Sequence, residues 1–294
     1  MTAVVRRGGT RLRGFLLALP PILVIAFFVG LPVLAAIAYS FGYAGGLNSV
    51  VASLAQKQHL GWGTGAYLDV LNDPSFRTDL AVTIGVTAVS VVLVLVLSWG
   101  VALYARLSKG VVAKLVTVLS VVPMFIPVVI GSYAILTFYS TDGFTRTIFH
   151  LLGWENSPVL AYKLTGVIVG QVWVNLPFGV LLLSSGLGSV PDALIEAARD
   201  AGASLGRTVL SIIVPMVKLP TIIVATFTGI GVLGSFTVPY LIGPNAPNML
   251  GVTMTHYYQS FNQAQQAVVM AVIVFALAAG IGYFYVRANA RTSR

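Results

Sequence analysis

The chain has no cysteine, which excludes disulfides, thiolate metal sites and cysteine nucleophiles. Charge is nearly as scarce: Asp, Glu, Lys and Arg make up 9% of its 294 residues, against roughly 25% in ordinary soluble domains. With 57% hydrophobic residues, an integral membrane protein is expected. Only three histidines occur, His59, His150 and His256, none in an H-E-x-x-H or H-x-x-x-H spacing, so surface positions are expected for them and no metal site. A Walker A sequence is missing too, so the chain is not itself an ATPase. No Asp or Glu falls deep within an apolar run; Asp79 stands only at the edge of one.

What is present is a set of six apolar runs, each near the 20 or so residues a spanning helix needs. They cover 14–41, 80–104, 115–139, 164–187, 219–243 and 267–286. Only a helix satisfies its own backbone across the hydrocarbon, so the runs predict an all-α membrane protein with six transmembrane helices in a single domain, residues 1–294. Pro123, Pro127, Pro177 and Pro239 lie inside these runs. A membrane helix accepts such kinks where neighbours or a cavity take up the freed backbone groups, which makes them candidate pathway walls.

Orientation follows from the basic residues. With the N-terminus in the cytoplasm, the inner segments hold Arg6, Arg7, Arg11, Arg13, Arg106, Lys109, Lys114, Arg199, Arg207, Lys218, Arg287, Arg291 and Arg294. The outer ones hold only Lys57, Arg77, Arg146 and Lys163, so both termini are expected inside. The same rule accounts for the net charge of +9 without a nucleic-acid partner. The first run is longer than a signal-peptide core and is expected to stay as a helix, with cleavage at the site-like Ala36-Ile37-Ala38 as the alternative. Three outer segments are expected, 42–79, 140–163 and 244–266; the last has no formally charged residue but offers Asn, Gln, Tyr and His to a soluble partner.

The inner segment 188–218 is the polar exception in the second half. Ser189-Val190-Pro191-Asp192 predicts a helix start with Ser189 as its cap. Leu194, Ala198, Ala201 and Leu205 are predicted to share one face, and Asp192, Glu196 and Arg199 another, with Gly202 interrupting before a second helix that leads to Pro215.

Uncharged polar and aromatic groups at mid-span are the candidates for solute contact, since such side chains need a partner or an aqueous lining. They are Tyr133 and Thr137 after Pro127, Gln171, Trp173 and Asn175 before Pro177, and Ser235 and Thr237 near Pro239. Interhelical hydrogen bonding is the competing role for each. Gly229-Ile230-Gly231-Val232-Leu233-Gly234 fits G-x-G-x-x-G but lies in an apolar run, so helix packing or a hinge is expected there and not a dinucleotide. Gly166 and Gly170 predict a close-packing surface whose partner the sequence leaves open.

Glu196-Ala197-Ala198, Gly202, Ile212 and Pro215 resemble the EAA motif of ATP-binding-cassette importer permeases. At typical residue frequencies six such identities arise at a given start on the order of once in ten million. The one departure is Val214 where the family usually has Leu. The segments "GAYLDVLNDPSFRTDLAVTIGVT", "VVPMFIPVVIGSYAILTFYSTDGFTRTIFHLLGW" and "LGSVPDALIEAARDAGASLGRTVLSIIVPM" look like the spermidine/putrescine branch, a resemblance running from about Tyr67 to the end.

The resemblance implies a type I importer permease whose coupling helix docks in a groove of a cytoplasmic ATPase. Glu196, Ala197, Ala198 and Gly202 would make that contact, with Arg199, Asp200 and Ser204 beside them. It further implies an ATPase dimer carrying ATP and magnesium, a second permease subunit that is a homologue of this chain, an extracytoplasmic solute-binding protein, and a bacterial inner membrane. The chain itself would carry no cofactor. A polyamine is the substrate the branch suggests, although these runs offer it no buried counter-charge; a phosphonate, sulfate, ferric iron, thiamine or sugar is the alternative. An autonomous secondary transporter or membrane enzyme is the remaining alternative, but the spans lack the ion-binding groups an ion-driven carrier favours.

Overall fold

The computed structural model describes residues 8–108, 110–154 and 157–292, and every regular element among them is helical. In chain order, α1 joins Gly8–Ile25 to Leu31–Ser40 through a π-helical turn, Ala26–Gly30. It is followed by α2 (Ser49–Leu54), α3 (Gly65–Asn72), α4 (Pro74–Leu107), α5 (Val111–Val121), α6 (Val128–Phe138), α7 (Phe144–Leu151) and α8 (Leu164–Gly188). Next come α9 (Asp192–Asp200) and α10 (Leu205–Met216), the latter with a π-helical stretch at Val209–Ile213. The chain continues through α11 (Lys218–Leu233), α12 (Thr237–Ile242), α13 (Leu250–Gln259) and α14 (Ala264–Thr292).

Among the described residues, four helical segments are long and apolar enough to cross a membrane unbroken: Gly14–Ser40, Pro74–Leu107, Leu164–Gly188 and Ala264–Arg287. Two further spans complete six if each bent pair counts as one, Val111–Phe125 with Val128–Phe138 and Leu205–Met216 with Lys218–Leu233. The first pair bends by 113°. Ile126 and Pro127 there have extended ψ values of 123° and 134°. A residue preceding proline is pushed out of the helical region and the proline itself donates no bond, so two prolines in five residues break the helix outright. The second pair bends by 69° at Val217.

The described chain forms two compact units. One comprises residues up to Asp73 together with Met254–Val272; the other comprises Pro74–Thr253 with the chain from Ile273 onward. In the first, Tyr39, Ala52 and Ala264 form a small core. The buried Gln265 holds the chain at His59 by accepting from its N–H (2.6 Å) and donating to its carbonyl (3.1 Å), with a further bond to the Tyr39 carbonyl (3.2 Å). This accounts for a glutamine at the start of an apolar helix: its amide satisfies loop backbone that would otherwise be buried unpaired.

The second unit packs around α4 and α8. Val94, Ala102, Leu183, Leu187, Val190, Ile213, Val217 and Val224 make one cluster near the ends of those helices. Val86, Ile135, Val167, Val232, Val238, Ile242 and Met249 make another. Glycine lets helices approach here. A Cβ at Gly170 would meet Val238 Cγ1 at 2.7 Å and Ile242 Cδ1 at 3.1 Å, so the Gly166/Gly170 surface is packed by α12. A Cβ at Gly186 would meet Pro220 at 2.8 Å, which seats the start of α11 on α8.

Candidate functional site

The segment 188–218 forms two helices joined by a tight turn. Ser189 closes α8 instead of capping α9: its hydroxyl donates to the Gly186 carbonyl (2.7 Å), and Pro191 occupies the cap position. The helix of the fourth span runs through Gly188, one residue beyond the apolar run, and the serine serves its orphaned carbonyls first. Asp192 lies in the first turn of α9 and Arg199 in the last, each at the end whose dipole it complements.

α9 ends in a Schellman motif. Ala203 N–H donates to the Ala198 carbonyl and Gly202 N–H to the Arg199 carbonyl, both at 2.9 Å. Gly202 has φ +82° and open space where a Cβ would stand. Ser204 then starts α10, its hydroxyl accepting from Arg207 N–H (3.4 Å). Gly202-Ala203-Ser204-Leu205-Gly206 also spells the G-x-S-x-G pattern of a hydrolase nucleophile elbow. That elbow turns from a strand into a helix. Here both flanks are helical and the serine is a cap, so it is no nucleophile site.

The face pattern differs from the one expected. Ile195 and Ala198 are the half-buried positions of α9, and Ile195 packs on the cluster of Leu187, Val190 and Ile213. Leu194 and Leu205 are 44% and 58% exposed, and Ala197 and Ala201 are exposed with them. The helix is thus anchored through one face, and its outward side mixes apolar with charged positions. Glu196, Arg199 and Asp200 are also exposed and form no ion pair among the described residues.

Arg106, the last-turn basic residue of α4, was legible only as part of the basic bias. Its Nε donates to the Leu187 carbonyl (3.3 Å) and Nη2 to the Val190 carbonyl (3.1 Å), and it forms an ion pair with Asp192. Asp79 is likewise more than a boundary residue. It is 8% exposed within α4 and accepts from Asn248 N–H (2.9 Å) and the Thr253 hydroxyl (2.6 Å). A carboxylate in an apolar setting is kept there by such donors.

The mid-span candidates fall into separate places. Gln171 Nε2 donates to Ser235 Oγ (2.7 Å), and Asn175 Nδ2 donates to the Gln171 carbonyl (2.8 Å). Gln171 is 2% exposed, while Asn175 and Ser235 are half-buried. Ser235 lies in the break between α11 and α12, and half-buried Thr237 opens α12. Tyr133 and Thr137 occupy an exposed face of α6, with Thr137 Oγ1 donating to the Tyr133 carbonyl (2.9 Å). They line an open groove of about 540 Å³ that also includes Phe138 and Asp142. Trp173 is half-buried, and a Cβ at Gly131 would collide with its ring, so α6 and α8 meet there without room for a side chain.

Gly229–Gly234 runs along the end of helix α11, with no strand before it, which removes the dinucleotide possibility. Among the described residues no three His, Cys, Asp or Glu side chains converge as metal ligands. His59 lies beside Asp69 (2.9 Å), and His150 and His256 are exposed.

Residues 97–294 match the family described as "Binding-protein-dependent transport system inner membrane component". The chain is 29% identical to a trehalose transport system permease protein, SugA, of Mycobacterium tuberculosis, over 97% of this chain and 92% of that one. It is 30% identical to the spermidine/putrescine transport system permease protein PotB of Escherichia coli, over 61% of this chain and 66% of that one. Among solved structures, a chain of a bacterial alginate ABC transporter in complex with a pentasaccharide-bound periplasmic protein superposes with TM-score 0.80 at 16% identity, covering 99% of each chain.

Proposed function

The chain belongs to the binding-protein-dependent transport system inner membrane component family, as the permease subunit of an ABC importer without an ATPase site of its own, and from that membership we propose its solute, partners and stroke. The observation that carries the stroke is α9: it is fixed by Ile195 and the Gly202 turn while its Leu194, Ala197, Ala201 and Glu196 positions stay free. This helix is the element that docks on a cytoplasmic ATPase, with Glu196 pairing to a basic group of that subunit. Arg199, Asp200 and Ser204 flank the contact. Both termini then face the cytoplasm.

The full assembly would hold two ATPases, each with ATP and magnesium, a second permease homologous to this chain, and a binding protein outside. ATP-driven closure of the ATPase pair draws the two coupling helices together and opens the pathway toward the binding protein. Hydrolysis resets it inward. The pathway would be lined by Tyr133, Thr137, Asn175 and Thr237, with Gln171, Trp173 and Ser235 holding its walls.

The solute we assign is a neutral saccharide. The candidate lining carries hydroxyls, amides and aromatic rings with one exposed acid, Asp142, in the groove of Tyr133 and Thr137, and the buried Asp79 carboxylate is occupied by Asn248 and Thr253. A trehalose permease matches nearly the whole chain, whereas the polyamine permease matches less than two thirds of it. That partial match keeps a polyamine as the second reading. Native mass spectrometry of the tagged chain, extracted from its own host, tests both layers. Recovery with two ATPases, a second permease and a bound sugar is expected. A released polyamine would overturn the solute assignment, and recovery without any ATPase would overturn the docking role of α9.

A further inference from the structure

α4 is a single 34-residue helix from Pro74 to Leu107. Asp79 and Arg106 stand near its two ends, about 40 Å apart at 1.5 Å per residue. Each leaves the helix to hold the end of another. The Asp79 carboxylate takes the Asn248 N–H and the Thr253 hydroxyl, and Thr83, one turn along, takes the Leu250 N–H on its own hydroxyl (2.9 Å). The Asn248 and Leu250 N–H groups lie at the entry to α13, and the Thr253 hydroxyl lies in its first turn. At the other end, the Arg106 guanidinium holds the Leu187 and Val190 carbonyls at the end of α8 and the Asp192 carboxylate in the first turn of α9. A carboxylate at a helix start and a guanidinium at a helix end are the pairings the macrodipole favours. A positive charge placed only to orient the chain in the membrane needs no such set of partners.

We propose that Asp79 and Arg106 are positioning residues acting in series, which make α4 the rod that carries movement of the 244–253 connection to the coupling helix α9. The 244–253 connection lies on the side where a binding protein would arrive, so the inference rests on the proposed function. The rod transmits because it is unbroken between the pins: the 113° and 69° bends fall in other spans. Docking outside displaces the start of α13, Asp79 passes this to α4, and Arg106 shifts the first turn of α9 against the ATPase.

The test uses the complete complex, purified from its host and reconstituted in proteoliposomes, with the co-purified binding protein in its solute-bound form as the probe. ATP hydrolysis is measured with and without that protein, together with solute taken up per ATP. Asp79→Asn and Arg106→Gln are each expected to lower the ratio of stimulated to unstimulated hydrolysis roughly tenfold, the factor for losing about one charge-assisted bond. Arg106→Lys should recover part of that loss, since it restores the charge without the fork. The double variant should lose no more than the worse single variant, because two pins in series fail together. Independent sites this far apart give effects that multiply, so a multiplied loss would overturn the proposal, as would wild-type stimulation in either assembled single variant. Failure of the wild-type complex to contain an ATPase, or normal coupling in Glu196→Lys, would instead overturn the reading of α9.

Discussion

Gly202 gives the sharpest quantitative test of the proposed docking role of α9 and its turn. Its φ of +82° is a left-handed conformation, and nothing lies within 4 Å of the place a Cβ would take. The cost of a side chain is therefore the backbone term alone, roughly 1–2 kcal/mol for an L-residue in that region. Such a cost lowers the population of a conformation by about 5–30-fold against its alternatives. Apparent affinity for a partner that needs the turn falls with the competent fraction, so Gly202→Ala should weaken ATPase binding by up to that factor. Asparagine tolerates the conformation better and valine worse, which predicts the order Gly, Asn, Ala, Val. The assay is titration of labelled ATPase onto the permease in nanodiscs, with solute uptake measured in parallel. Binding of the alanine variant as tight as that of the glycine chain would refute the argument. So would an asparagine variant as weak as the valine one, since that outcome would make bulk and not φ the deciding quantity.

Glu196→Lys should abolish uptake and weaken ATPase recovery while the chain still inserts in the membrane; normal uptake at equal expression would sink its coupling role. Ser235→Ala removes the acceptor of the buried Gln171 amide (2.7 Å) and should cost about 1–3 kcal/mol of stability, visible as a lower thermal midpoint in detergent. Combining it with Gln171→Met should recover part of that loss, and an unchanged midpoint for Ser235→Ala alone would contradict the structural role of the bond. Gly131→Val forces a side chain into the Trp173 ring and should destabilise by about 1–3 kcal/mol. Trp173→Leu on that background is expected to raise the midpoint again, and a further drop would show that the ring is not the obstacle.

The helical class and the turn at Gly202 were legible because their signals are local: hydropathy averages over 20 residues, and Gly202 falls four residues after Ala198. Gly166 and Gly170 announced a close approach, but only the structure supplied α12 as what approaches. The face of α9 came out differently because periodicity finds an apolar side without telling whether the chain itself covers it. Leu194 and Leu205 keep the expected spacing yet are left outside, while the less conspicuous Ile195 does the anchoring. Ser189 has the pattern of a helix start, ahead of proline and aspartate, yet the preceding helix reaches it and takes its hydroxyl. Asp79 and Arg106 were not legible in role. Their partners lie 169 and 174 residues away for Asp79 and 81, 84 and 86 for Arg106, beyond any sequence window.

The π-helical stretch Val209–Ile213 lies between the Gly202 turn and the bend at Val217. Successive residues of an α-helix are about 100° apart around its axis, and a π turn absorbs an additional residue without losing the hydrogen-bonded course of the chain. It therefore acts as a phase shifter between the polar segment and the span that follows it. Sliding the extra residue one turn along would swing every intervening side chain around the axis while both ends stay where they are. Deleting one residue from 209–213 would remove the extra residue and leave a helix of ordinary pitch with both ends in place.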